Sequence, residues 1–255
     1  MSLMTASLAL PAAPLEGPAA TKAALESLLR ARRLQAEAPP LRGEAGRPRP
    51  LATGIAEVDA LLGGGFPRGR LSEVHGPVSS GRTGLLLALL ARVTGGAALA
   101  ALVDPLDRLD PASAAAAGVD LARLLWLRGP RGVGEEPPPK TLADATAAVV
   151  TLAASGLFDL VALDLVGTIP ARRRLPATTW LRLQRTVEET KTALVLVADA
   201  HVACGPGGAA LVLEPAGLRW SGPPGPGCLL AGLTARAWAG RHALHAADLA
   251  LSAFV

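Results

Sequence analysis

The sequence contains few of the residues on which several protein classes depend. Two of its 255 residues are cysteines, and they stand far apart, with no histidine pair at metal-ligand spacing beside them. This argues against a disulfide framework and against a zinc site, and it favours a reducing cytosol. The chain has no tyrosine and three phenylalanines, so few aromatic side chains are present on which nucleic-acid bases could stack.

Targeting and membrane-spanning signals are also missing. The opening stretch "MSLMTASLALPAAP" is partly apolar but has no basic residues, so we do not expect a secretory signal peptide. No uncharged run reaches the ~18 residues that a membrane-spanning helix needs. The sequence therefore predicts a cytoplasmic protein with no membrane contact.

Lysine is scarce while arginine is abundant. Lys22, Lys140 and Lys191 are the lysines, so arginines make up nearly all of the 25 basic residues, which face 21 acidic ones. An arginine excess beside much Ala, Gly and Pro is typical of a GC-rich genome, and a net charge of +4 is weak evidence for nucleic-acid binding. Half of the residues are apolar, which is enough for one substantial core.

Residues 1–50 are predicted to form an arm outside that core. The stretch "TKAALESLLRARRLQA", residues 21–36, has leucines on one side and predicts a short helix. The "PPLRGEAGRPRP" that follows can neither continue the helix nor join a sheet, so it predicts an extended linker. Such an arm docks either on its own domain or on a partner or neighbouring copy, and the sequence leaves both alternatives open.

Residues 51–255 are predicted to form one α/β core domain. Short apolar runs alternate with helical stretches, which is typical of a mostly parallel sheet with helices on both faces. The predicted strands are 71–75, 99–104, 124–127, 160–164 and 194–198, and the predicted helices lie near 82–94, 141–154 and 177–191. After residue 209 the pieces "AALVLE", "GLRWSG", "GLTARAWAG" and "ADLALSA" predict antiparallel strands that extend the sheet.

A phosphate-binding loop is predicted directly after the first of these strands. "GPVSSGRT" follows the strand "LSEVH" and precedes the helical "GLLLALLARV". In such a loop, glycines let successive backbone N–H groups point inward, where the helix N-terminus adds its positive dipole end. The predicted phosphate-binding residues are Gly76, Ser79, Ser80, Gly81, Arg82 and Thr83. Arg82 stands where the usual pattern has lysine.

Four segments, in order along residues 52–214, resemble the RecA recombinase family. They are "TGIAEVDALLGGGFPRGRLSEVHGPVSSGRT", "LVDPLDRLDPASAAAAGVDLARLL", "FDLVALDLVGTIP" and "GPGGAALV". The resemblance implies a RecA-like phosphate-loop core with ATP and Mg²⁺ as cofactors. It also implies that the Thr83 hydroxyl and the Asp164 carboxylate, at the Walker B position, hold the metal.

The resemblance fails at positions that the family uses for hydrolysis. Arg82 carries the charge of the lysine on a wider, planar group, which would misplace the transferred phosphoryl group. Leu106 stands where the family has the glutamate that polarises water, and the neighbouring Asp107 is the candidate substitute base. Ala200 stands where a glutamine senses the γ-phosphate, with His201 beside it as either a replacement or a solvated capping residue.

The segments that match the two DNA-binding loops of RecA are also altered. The first contains Arg172, Arg173 and Arg174, which are either weak contacts to single-stranded DNA or a solvated patch for an acidic protein. Trp180 lies nearby and is the candidate stacking residue. The second loop is reduced to about "HVACGPGG", so a filament-style grip on DNA is not expected.

Three functions are consistent with these residues: a DNA-stimulated ATPase, a nucleotide-sensing switch, and an accessory protein without turnover. The chain is most similar to ImuA proteins, some of them labelled SulA-like. That resemblance implies a role in the bacterial SOS response and translesion synthesis. Its partners would be an ImuB-like Y-family polymerase homologue, RecA itself, or both. The degenerate site favours the accessory function over an enzyme.

Overall fold

The computed structural model describes residues 23–27, 48–130, 138–168, 175–203, 207–223, 225–240 and 246–252. Within them the strands are β1 Leu71–His75, β2 Ala100–Asp104, β3 Leu124–Arg128, β4 Leu160–Asp164, β5 Ala193–Ala198, β6 Ala210–Ser221, β7 Leu229–Ala239 and β8 Ala246–Ser252. The helices are α1 Ala56–Leu61, α2 Arg82–Gly95, α3 Pro111–Ala116, α4 Pro139–Ser155 and α5 Ala177–Glu188.

All eight strands belong to one sheet in the order β3-β2-β4-β5-β1-β6-β7-β8. From β3 to β6 every neighbouring pair is parallel, and β7 and β8 add to the β6 edge in antiparallel pairs. The central strands are buried on both faces, because each face is covered by helices. The predicted α/β fold, with a mostly parallel sheet and an antiparallel extension at its C-terminal end, is confirmed.

The sheet separates two apolar layers. Alternate residues of each central strand point to opposite faces, so Val195 packs with the leucines of α2, whereas Leu194 and Leu196 pack with α4 and α5. Leu25, in the helical stretch 23–27, is 7% exposed and belongs to the second layer. The described part of the arm therefore packs on its own domain, while the boundary near residue 50 stays a prediction.

The antiparallel extension differs from its predicted form. The pieces "AALVLE" and "GLRWSG" form one continuous strand, β6, instead of two. Pro215 lies inside this strand, where the pairing with β7 shifts register between Pro215 and Gly217. A proline without an N–H group is tolerated at such an irregularity of the ladder.

None of the helices in the described ranges combines the length and the apolar character needed to cross a membrane.

Candidate nucleotide-binding site

The carboxyl ends of neighbouring parallel strands bring the predicted site residues to one edge of the sheet. β1 leads into the phosphate loop, β2 ends at Asp104, β4 ends at Asp164, and Asp199 follows β5. Since β2, β4, β5 and β1 are successive neighbours, these groups lie at the position where open α/β sheets bind ligands.

The loop between β1 and α2 has the backbone of a phosphate-binding loop. Ser79 and Gly81 adopt positive φ angles of 62° and 90°, and Gly81 precedes the first turn of α2 without a side chain that could cap it. A Cβ atom placed on Gly76 would lie 2.0 Å from the Leu213 carbonyl oxygen. Glycine is required there because the loop passes directly beside β6.

The three polar side chains that follow in the loop differ in exposure. Thr83 is exposed in the first turn of α2, where its hydroxyl is open to solvent. Ser80 is 1% exposed, and its Oγ has no hydrogen-bond partner in the described part of the chain. Arg82 is buried, with 5% of the residue exposed. The loop therefore presents the threonine outward and directs the arginine into the protein.

Arg82 points at a carboxylate of its own chain. Its Nη1 donates to Asp199 Oδ1 at 2.7 Å, and Asp199 Oδ2 accepts a hydrogen bond from the Gly167 N–H at 2.6 Å. The guanidinium charge that replaces the phosphate-loop lysine is thus neutralised inside the protein. Sequence reasoning gave Asp199 no role in the site, although its place directly after a buried strand was a usable signal.

Asp164, the predicted metal-binding carboxylate, is the last residue of β4. Burial, followed by the nearby charge of Asp104, raises the pKa of Asp164 to about 6, against the opposing effect of a hydrogen bond from the Val166 N–H. Asp104 is itself held by the Arg108 and Leu109 N–H groups at 2.7 and 2.9 Å. Burial and a second negative charge nearby both favour the protonated form of Asp164.

Asp107, the predicted substitute base, is paired with a cation of its own chain. Both of its carboxylate oxygens accept hydrogen bonds from Arg128, at 2.5 Å from Nε and 2.8 Å from Nη2. The guanidinium of Arg128 also stacks over Trp126 at 4.2 Å from the ring centroid. Because Arg128 engages both oxygens, this ion pair would have to open before Asp107 could act on water, and the substitute-base interpretation stays a prediction.

A comparison with known protein families finds a match that includes the phosphate loop. The family model for the RecA N-terminal domain matches residues 47–177, just over half of the chain. The chain therefore belongs to the RecA family. The match contains the phosphate loop, Asp104 and Asp164, while Asp199 lies beyond it.

Curated relatives named Protein RecA are similar over about half of the chain. Those of Synechococcus sp. (strain CC9605) and Prochlorococcus marinus (strain AS9601) are 38% identical over 135 and 125 residues. That of Parasynechococcus marenigrum (strain WH8102) is 37% identical over 135 residues. The matches cover 52%, 49% and 52% of this chain and 33%, 32% and 33% of the relatives, so the matched region spans about a third of their length.

At the position of RecA's γ-phosphate-sensing glutamine, the chain carries a different contact. Ala200 has no polar side chain, and the Nδ1 atom of His201 lies 2.6 Å from Oε2 of Glu73 on β1. Glu73 is 2% exposed and also accepts a hydrogen bond from the Val202 N–H at 2.6 Å. His201 therefore fixes the start of the loop after β5 through a buried carboxylate, a contact that the sequence did not reveal.

The residues predicted to contact nucleic acid are three arginines and Trp180, and the structure describes one of these four. Arg172, Arg173 and Arg174 lie outside the described residues, so their role stays a prediction. Trp180 is 2% exposed within the layer formed by α4 and α5. It is a core residue, and the suggestion that it stacks on bases is wrong because the ring has no accessible face.

Proposed function

We propose that this RecA-family protein is an accessory factor of the bacterial DNA-damage response, similar to ImuA proteins. It acts in translesion synthesis, in the modulation of RecA, or in both, through protein–protein contacts. The observation that carries the proposal is the pairing of Arg82 with Asp199, which neutralises the cation of the phosphate loop within the chain. A chain that depended on ATP turnover would need that cation on the transferred phosphate.

The absence of a catalytic base supports the same conclusion. Leu106 cannot take a proton, and Asp107 is bound by Arg128. Loss of a general base costs about 10²–10⁴-fold in rate, or roughly 3–5 kcal/mol of barrier. Without a general base, and with Arg82 paired to Asp199, we expect ATP hydrolysis too slow to power a RecA-type cycle.

The proposed partners follow from what the chain keeps. It retains the RecA-type core over residues 47–177 but not the residues that power the RecA cycle. A protein with RecA-like surfaces and no motor would cap or compete within a RecA filament. An ImuB-like Y-family polymerase homologue is the second proposed partner, and both assignments rest on the resemblance to ImuA proteins.

Mg²⁺-ATP is the cofactor whose binding the site would still permit. The backbone of the phosphate loop and the uncapped start of α2 fit phosphate oxygens, and Thr83 and Asp164 would hold the metal. Such a metal would neutralise phosphate charge. These retained features favour one alternative, a DNA-stimulated ATPase that hydrolyses ATP slowly.

ATP turnover with and without single-stranded DNA tests the proposal against that alternative. The wild-type protein is compared with Arg82→Lys, with Leu106→Glu and with Arg236→Lys, a control on β7 whose exposed side chain pairs with Asp248. We expect wild-type turnover at the background rate in both conditions. Clear DNA-stimulated turnover in the wild type would overturn the accessory function.

The partner assignment is tested separately. Added at several-fold excess, the protein should change the rate or extent of RecA-driven strand exchange, because capping alters filament length. The Arg236→Lys control should behave like the wild type. If strand exchange is unchanged, the modulation of RecA is refuted, and binding to an ImuB-like polymerase homologue becomes the remaining form of the proposal.

A further inference from the structure

One carboxylate connects three segments of the candidate site. Asp199 Oδ1 accepts from Arg82, the first residue of α2, and Asp199 Oδ2 accepts from the N–H of Gly167 in the turn after β4. Asp199 itself follows β5 directly. A movement of the Asp199 side chain therefore changes hydrogen bonds both at the phosphate loop and at the turn after β4.

The two partners of the ion pair differ in their access to water. The side chain of Arg82 is 6% exposed and that of Asp199 is 29% exposed. A buried guanidinium without an anion is costly, so Arg82 needs an anionic partner at all times. The Asp199 carboxylate can move into solvent more easily than Arg82 can. Asp199 is therefore the member of the pair that a ligand would displace.

A phosphate group is the natural replacement for that carboxylate. Guanidinium groups bind carboxylates and phosphates through the same parallel N–H donors. Arg82 lies at the N-terminus of α2, where the loop backbone is arranged for phosphate. With Asp199 in place, an incoming phosphate meets an already neutralised arginine and the repulsion of a neighbouring negative charge.

We propose that Asp199 is an intramolecular cap on the phosphate loop, which a nucleoside triphosphate must displace in order to bind. The inference rests on the proposed function in one respect, namely that the phosphate loop is a nucleotide site. Displacement also releases the Gly167 N–H, so nucleotide binding without hydrolysis would alter the turn after β4. The phosphate loop indicates that the ligand is a nucleoside triphosphate, and Asp199 would control how tightly that ligand binds.

Equilibrium titration of the full chain with mant-ATP and Mg²⁺ tests the cap. Asp199→Asn keeps the size of the side chain and an oxygen for the Gly167 N–H, but it removes the charge that holds Arg82. We expect the variant to bind mant-ATP about tenfold or more tightly than the wild type, the value of one charge-assisted hydrogen bond. Asp248→Asn removes an exposed carboxylate that pairs with Arg236, and it should bind like the wild type.

The double variant Asp199→Asn with Arg82→Ala identifies the group responsible. If the gain comes from freeing Arg82, the double variant should lose most of it. Should Asp199→Asn fail to fold by circular dichroism, Asp199→Ser makes the same prediction, because its hydroxyl can still accept from Gly167. A folded variant of either kind that binds mant-ATP no more tightly than the wild type would overturn the cap.

The outcomes separate this inference from the proposed function. Rapid ATP turnover by the wild type would refute the accessory function, whereas the cap depends on the binding comparison alone. Tighter binding by Asp199→Asn without turnover would support both.

Discussion

Replacing Asp164 with asparagine should stabilise the protein, although Asp164 is at the centre of the candidate site. Burial and the charge of Asp104 raise the pKa of Asp164 from 3.8 to about 6. The folded state therefore binds the proton more tightly than the unfolded state, and the ionised carboxylate costs stability above pH 6. At 1.36 kcal/mol per pKa unit, the full cost is about 3 kcal/mol.

Because the pKa of Asp164 is raised in the folded state, the cost in stability depends on pH in a definite direction. The cost is complete at pH 8 and is relieved as the pH falls through 6 toward 3.8. Asparagine keeps the oxygen that accepts from the Val166 N–H and carries no charge. We expect Asp164→Asn to raise the free energy of unfolding by about 3 kcal/mol at pH 8 and by roughly half of that at pH 5.

Urea denaturation at both pH values measures the difference. Asp144→Asn is the matched control, because Asp144 is an exposed carboxylate on α4 whose partner is Lys140 at i−4. It should change stability by less than about 0.5 kcal/mol at either pH. The reasoning is refuted if Asp164→Asn destabilises the protein at pH 8, or if its effect does not depend on pH.

Two further predictions concern the framework of the site. Gly81→Ala should destabilise the fold by about 1–3 kcal/mol, because φ is +90° and the new Cβ would lie 2.3 Å from Leu251 Cδ1. The control Gly95→Ala, at the end of α2 with nothing within 4 Å, should be neutral or stabilising in the same urea series. Gln184→Leu should cost about 1–3 kcal/mol, because the buried Leu71 N–H loses its Gln184 Oε1 acceptor. A cost under about 0.5 kcal/mol, measured by urea denaturation, would contradict this.

The parallel half of the fold was predictable because each of its strands is a short apolar run between polar boundaries. The predicted strands 71–75 and 160–164 agree with β1 and β4 at both ends, and 194–198 is one residue shorter than β5. The antiparallel half was harder to divide, since Pro215 and Gly217 look like a break between strands. In the structure they form an irregularity within β6. Proline marks a local loss of pairing, and sequence reasoning read it as the end of the strand.

The phosphate loop was predictable from spacing, whereas the contacts that decide its chemistry were not. Arg82 and Asp199 are separated by 117 residues, and no local pattern links them. They meet because β1 and β5 are adjacent and parallel, with His75 opposite Ala198. This juxtaposition follows from the strand order, which a single sequence does not specify.

The charges at this edge of the sheet suggest how the site came to its present form. Asp107, next to Leu106, is held at both oxygens by Arg128. Arg82 is held through one nitrogen by the more exposed carboxylate of Asp199. Asp107 is thus held by a bidentate pair, whereas Arg82 is held by a single contact, the one that the proposed cap requires a phosphate group to replace. Under the proposed function, that asymmetry is what would let the site respond to nucleotide without turnover.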